Sequence, residues 1–158
     1  AFVEDQAGFS MTYTTGNNLV ELFLDWTGVR KGEQREQFMA GLSAWKKMGV
    51  LKVGLKGHYY HYALSELNNK REHIHDYAII KPFLGVELEN LGILHNLEAK
   101  AGALVSLDRD RGQGRHWKTP AGLILEIGAD IWRFHLDEMF YSGSRQMGFG
   151  LQHYGEFY

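Results

Sequence analysis

The chain has 158 residues, with 17 lysines and arginines against 19 acidic residues, no cysteine and an aromatic share of 13%. A net charge of −2 with scattered basic residues excludes a nucleic-acid footprint, and the lack of cysteine excludes a disulfide framework, a thiolate metal site and a cysteine nucleophile. Nineteen glycines against two prolines, with tyrosine and phenylalanine abundant, favour strands.

The start AFVEDQ carries no leader pattern, as expected where a signal peptide has been removed. The stretch GFSMTYTTG alternates through Phe9, Met11 and Tyr13. We read residues 1–17 as an extension or partial strand of a single domain spanning 1–158. Weak two-residue alternation follows over Asn18–Thr27 and Glu36–Lys46.

From Leu51 the pattern is clear, with Leu51, Val53, Leu55, Gly57 and Tyr59 opposite Lys52, Gly54, Lys56, His58 and Tyr60. Asp76–Glu89 alternates weakly. From Leu97, residues Leu97, Ala99, Ala101, Ala103, Val105 and Leu107 oppose Glu98, Lys100, Gly102, Leu104 and Ser106. Leu123, Leu125, Ile127 and Ala129 oppose Ile124, Glu126, Gly128 and Asp130; Trp132, Phe134, Leu136 and Phe140 oppose Arg133, His135, Asp137, Met139 and Tyr141. A last weak strand is expected over Gly148–Tyr158, making eight.

The connections alternate in length. Short turns are expected at Lys47-Met48-Gly49, Asn90-Leu91-Gly92 and Gly128-Ala129-Asp130, and longer polar links over Gly28–Arg35, Leu64–His75, Asp108–Thr119 and Ser142–Met147. Eight such strands would return both termini to the short-turn side. Transmembrane barrels show this asymmetry on strands of about 9–11 residues, and no apolar run here approaches the roughly 20 residues of a spanning helix.

A soluble lipocalin-like barrel has the same period with its faces reversed. Acids (Glu21, Asp25, Glu87, Glu98, Glu126, Asp137) and bases (Lys52, Lys56, Lys81, Lys100, Arg133) balance on the polar faces, as an ion-paired interior requires. The opposite faces carry no charge through most of each strand, and Trp26, Trp45, Tyr59, Trp132 and Tyr141 lie towards strand ends, where interfacial girdles belong. The expected fold is therefore all-β: an antiparallel up-and-down transmembrane β-barrel of about eight strands, or part of a larger one.

The strings HDYAIIKPFLGVEL, LEAKAGALVSLDRDRG and FHLDEMFYSGSRQM, within Asp76–Met147, resemble segments of uncharacterised Bacteroidetes-type outer-membrane β-barrel proteins. The ending MGFGLQHYGEFY departs from that pattern. The resemblance implies fold and outer-membrane location, and it brings no activity.

Function is less legible. The expected polar network comprises Glu21, Lys52, Lys56, His58, Glu87, Glu98, Lys100, Glu126, Arg133, His135 and Asp137, which nearly fill an eight-stranded lumen. This favours a structural or passive small-solute transport role without catalysis. An outer-membrane lipid-modifying hydrolase is one alternative, with Ser65, Ser106, Ser142 or Ser144 served by His61, His75 or His135; no GxSxG motif supports the grouping. A soluble ligand-binding barrel is the other.

His73, His75 and Asp76 are weak metal candidates near His58 and His61, with no third ligand fixed by spacing. Asp108-Arg109-Asp110-Arg111-Gly112 resembles a calcium loop fragment, but its arginines oppose a cation; with Arg115, His116 and Lys118 they suit lipopolysaccharide phosphates instead. No cofactor is expected. The expected partners are outer-membrane lipid or lipopolysaccharide, detergent standing in for them in vitro, and the oligomeric state is open.

Overall fold

Alternating side chains rich in aromatic and β-branched residues pack well on a pleated surface, and here they generate strands throughout. The computed structural model describes residues 7–28, 31–32, 35–65, 73–114 and 116–144. Eight strands pair in chain order, each antiparallel to the next, in one sheet: β1 (Ala7–Thr15), β2 (Asn18–Gly28), β3 (Arg35–Met48), β4 (Leu51–Ser65), β5 (His75–Leu91), β6 (Leu94–Asp110), β7 (Ala121–Ile131) and β8 (Phe134–Gly143).

Two-residue turns at Gly16-Asn17, Gly49-Val50, Gly92-Ile93 and Trp132-Arg133 close one end of the sheet, and all the longer connections lie at the other. Gly49 and Gly92 hold positive φ (64° and 65°), the conformation that tight hairpins demand. Trp132 adopts a φ of 57° without being glycine. Its turn is stabilised by neighbours: the Trp132 ring lies 6.2 Å from Phe134, and the Arg133 guanidinium 5.2 Å from the Trp132 ring.

The two faces are inverted relative to a water-soluble sheet. The apolar face is open, with Leu84 58% and Leu123 69% exposed, joined by Phe9, Leu22, Leu24, Val53, Leu125 and Phe140. The large buried residues sit on the charged face instead, where Tyr77 is 3% and Phe83 5% exposed, with Tyr60 and Ile124 beside them. Phe83 stands directly opposite Gly54 in the β4–β5 ladder, and a side chain added at Gly54 would run into its ring. An aromatic folded over a glycine in this way covers bare backbone and pins the register of the pair.

Several expectations are corrected. Of the two readings of the N-terminal stretch, extension or partial strand, residues 7–15 follow the second: they pair with β2 over nine consecutive positions, Ala7↔Trp26 to Thr15↔Asn18. The expected strand Gly148–Tyr158 lies outside the described residues, so the count of eight is met by a different set. In this set β1 begins and β8 ends at the long-connection end; the termini lie outside the described residues. Gly128-Ala129-Asp130 is no turn but the paired end of β7, facing Asp137, Leu136 and His135. Arg133 therefore leaves the strand for the turn. Asp108–Asp110 belongs to β6, where Asp108 also bridges Lys118. Of the expected girdle, Trp45 and Tyr141 fall on the charged face, since each shares its strand parity with charged residues.

Candidate functional site

Antiparallel register decides which side chains meet. At the long-connection ends of β4, β5 and β6, the ladder sets His61 opposite Asp76 and Asp76 opposite Arg109, three residues in a row on the apolar face. Asp76 is completely buried. Its Oδ1 accepts from Tyr59 Oη at 2.7 Å and from His61 Nδ1 at 2.7 Å. Its Oδ2 accepts from Arg109 Nη2 at 2.6 Å and Nε at 3.1 Å, and from Arg111 Nη2 at 2.9 Å and Nε at 3.0 Å.

Two guanidiniums on one oxygen keep this carboxyl ionised, and an ionised carboxylate only accepts. The Tyr59 hydroxyl and His61 Nδ1 must then both donate. In the neutral ring, Nδ1 donating to Asp76 leaves Nε2 as the lone-pair acceptor. Among the described residues His61 bonds only Asp76 and, at 3.4 Å, Tyr59. Its ring packs 5.0 Å from Phe38, which also contacts Trp26 at 5.5 Å, so an aromatic band of Trp26, Phe38 and Tyr59 flanks the cluster. The Arg109 guanidinium lies 4.3 Å from the Trp117 ring.

Adjacent positions point the other way. His75 Nε2 meets Asp108 Oδ1 at 2.6 Å on the charged face, and Tyr77 Oη lies 3.4 Å from the buried Ser106 Oγ. His73, His75 and Asp76 are thus split between faces, and no group of three ligating residues able to hold a metal occurs among the described residues. The DRDRG string is divided the same way. Asp108 is held by His75, Asp110 Oδ1 accepts from the Gly112 amide at 2.8 Å, and the arginines turn to Asp76.

Along the charged face, Lys47 reaches Glu87 at 2.9 Å, Lys52 bridges Glu87 (3.4 Å) and Glu98 (2.9 Å), and Lys100 reaches Glu98 at 2.5 Å. Lys81 pairs with Glu126 at 2.6 Å. Lys47, expected in a turn, is a member that periodicity missed.

Other expected members stand apart. Lys56 faces Lys81 across the β4–β5 ladder and makes no ion pair among the described residues, nor does Glu21. His58 lies beside the Tyr77 ring at 6.2 Å. His135 belongs to the short-turn end, where its Nδ1 meets Asp130 and its Nε2 meets Asp137 at 2.8 Å. It is about 23 Å of strand from Ser142, too far to serve it. Ser65 and Ser106 are buried, and none of the four candidate serines bonds His61.

A family model for the lipid A 3'-O-deacylase type matches residues 3–157, nearly the whole chain. The chain belongs to the lipid A 3'-O-deacylase-type family. Neither the curated proteins nor the solved structures gave a match. Within this deacylase-type family fold, the Asp76 cluster is the one assembly of the described residues that sets a buried acid, a histidine and cations together on the apolar face.

Proposed function

We propose that the chain is an outer-membrane β-barrel that acts on lipid A as an acyl-ester hydrolase, with His61 as its base. The observation that carries this reading is the 2.7 Å bond between His61 Nδ1 and the buried Asp76, on the apolar face at the long-connection end. Family membership supports the substrate. The inverted faces support the location, because apolar residues exposed in this number belong against acyl chains, and they weigh against a soluble ligand-binding barrel. Closure of the sheet is part of the proposal. The outer edges of β1 and β8 have no ladder among the described residues, and hydrocarbon does not tolerate unpaired edges.

In this scheme His61 Nε2 takes a proton from a water whose oxygen attacks the acyl carbonyl carbon. Asp76 holds the imidazolium that forms. The ester C–O bond then breaks, the proton passes from His61 to the departing sugar oxygen, and a fatty acid and a free hydroxyl result. General-base loss costs roughly 10²–10⁴-fold in rate. The refolded protein should therefore release fatty acid from lipid A, with His61→Ala slower by at least about 100-fold at unchanged heat-modifiable gel mobility. Absence of acyl release from the folded parent protein sinks the reading.

A second reading, a barrel with only a structural or passive-transport role, is favoured by the chain of ion pairs from Lys47 through Glu87, Lys52 and Glu98 to Lys100, which occupies the charged face. Planar-bilayer conductance without acyl release selects it.

A further inference from the structure

Resting on the lipid A reading above, we infer that Arg109 and Arg111 form a phosphate-monoester site on the apolar face, taking the headgroup of an amphiphile whose acyl chains lie along the strip beneath. The charge count leaves the site open to an anion. Asp76 brings one negative charge to two guanidiniums, and neither arginine has another acidic partner among the described residues, so the cluster retains one positive charge.

Hydrogen-bond capacity agrees. Each guanidinium spends its Nε and Nη2 on Asp76, and the Nη1 hydrogens have no acceptor among the described residues. A guanidinium offers five N–H donors in a fixed fork suited to phosphate oxygens. The fork is also held in place: a fully buried carboxylate positions both arginines, while the Arg111 side chain remains 43% and Arg109 25% exposed. Trp117, against Arg109, forms a side wall.

The surroundings select an amphiphile over a free ion. Continuing from Asp76 and Arg109 along the same face, the ladder sets Ala78 beside Leu107 and Ile80 beside Val105, an apolar strip in register with the cluster. An anionic head at the arginines lays its chains along this strip without crossing a polar residue.

The test uses the refolded protein in dodecylphosphocholine micelles, with tryptophan emission as the readout. Dihexanoyl phosphatidic acid, dihexanoyl phosphatidylcholine and inorganic phosphate are titrated separately. The inference expects saturable binding of phosphatidic acid, no saturable binding of the choline lipid, and at least about tenfold weaker binding of inorganic phosphate. Arg111→Gln should weaken phosphatidic acid binding by about tenfold or more, the loss of one charge-assisted contact, and Arg111→Lys should recover part of it.

Equal binding of the choline lipid, or an Arg111→Gln affinity equal to the parent's, overturns the inference. Inorganic phosphate binding as tightly as phosphatidic acid overturns its amphiphile part. If Arg111→Gln loses heat-modifiable mobility, the comparison rests on Arg111→Lys, which must bind phosphatidic acid more weakly than the parent or the inference falls. Failure here leaves acyl release by the parent protein untouched, and failure of acyl release leaves these affinities standing, so the two proposals fail separately.

Discussion

Asp76 stands directly across from Arg109 in the β5–β6 ladder, and its Oδ2 takes the arginine's Nη2 at 2.6 Å. Because Asp76 is wholly buried and shared with Arg111, removing it strands two cations. The stranded guanidiniums are partly exposed, Arg109 by 25% and Arg111 by 43%, so solvent answers part of their charge. Asp76→Ala should lower stability by about 1–3 kcal/mol in urea unfolding of the micelle-bound protein. Arg111→Gln leaves Asp76 with Arg109 and should cost less than half as much.

The ion pairs of the charged face differ in redundancy. If Lys52 is lost, Glu87 keeps Lys47 and Glu98 keeps Lys100. Glu126 has only Lys81 among the described residues. Lys52→Met should therefore cost under about 1 kcal/mol, and Lys81→Met about 1–3 kcal/mol, because it leaves a half-buried carboxylate without its partner. Equal costs in the same unfolding assay would contradict this ranking.

The inverted faces predict an outcome opposite to that of a soluble protein. Leu84 is 58% exposed in the middle of β5, a position where arginine would be harmless in water. In a bilayer Leu84→Arg should destabilise by about 2–4 kcal/mol. Unfolding from lipid vesicles measures it, and no loss there would place this face in water.

At Gly54 the Phe83 ring occupies the space that any side chain would need, and Ala44 O is 2.7 Å from the position of an added Cβ. Gly54→Val should cost about 1–3 kcal/mol through forced repacking. Phe83→Leu should relieve part of that clash. Thermal melting of the single and double variants would reveal the coupling as non-additive losses.

Period-two alternation is enough to read β4, β6 and the body of β7 and to separate Leu51, Val53 and Leu55 from Lys52 and Lys56, while β5 alternates only weakly and the end of β7 reads as a turn. It assigned β8 its parity but not its start, because Trp132 turns through a positive φ that only the folded hairpin makes visible. β1 is hard to read: Ser10, Thr12 and Thr14 carry no charge, so its polar face gives a weak signal, yet its pairing with β2 is unbroken. The site is less legible. Asp76 stands in a possible metal motif, His61 among possible hydrolase bases and Arg109 and Arg111 in a loop string, but their meeting depends on register across three strands. Local spacing contains no register. His75 and Asp76 are neighbours in sequence and look like joint ligands, but a strand sends them to opposite faces.

The alternation that separates the faces is blind to one error: sliding a strand by two residues keeps every apolar side chain on its own side. Glu87 and Glu98 stand directly opposite each other with Lys52 reaching both, and Asp76 faces Arg109 in the same ladder. A two-residue slip of β5 on β6 that sets Asp76 opposite Leu107 and Glu87 opposite Asn96 dissolves these matches and leaves buried charge unanswered. The charged contacts thus proofread strand pairing against a slip in that direction while the sheet assembles, a task the hydrophobic pattern cannot perform.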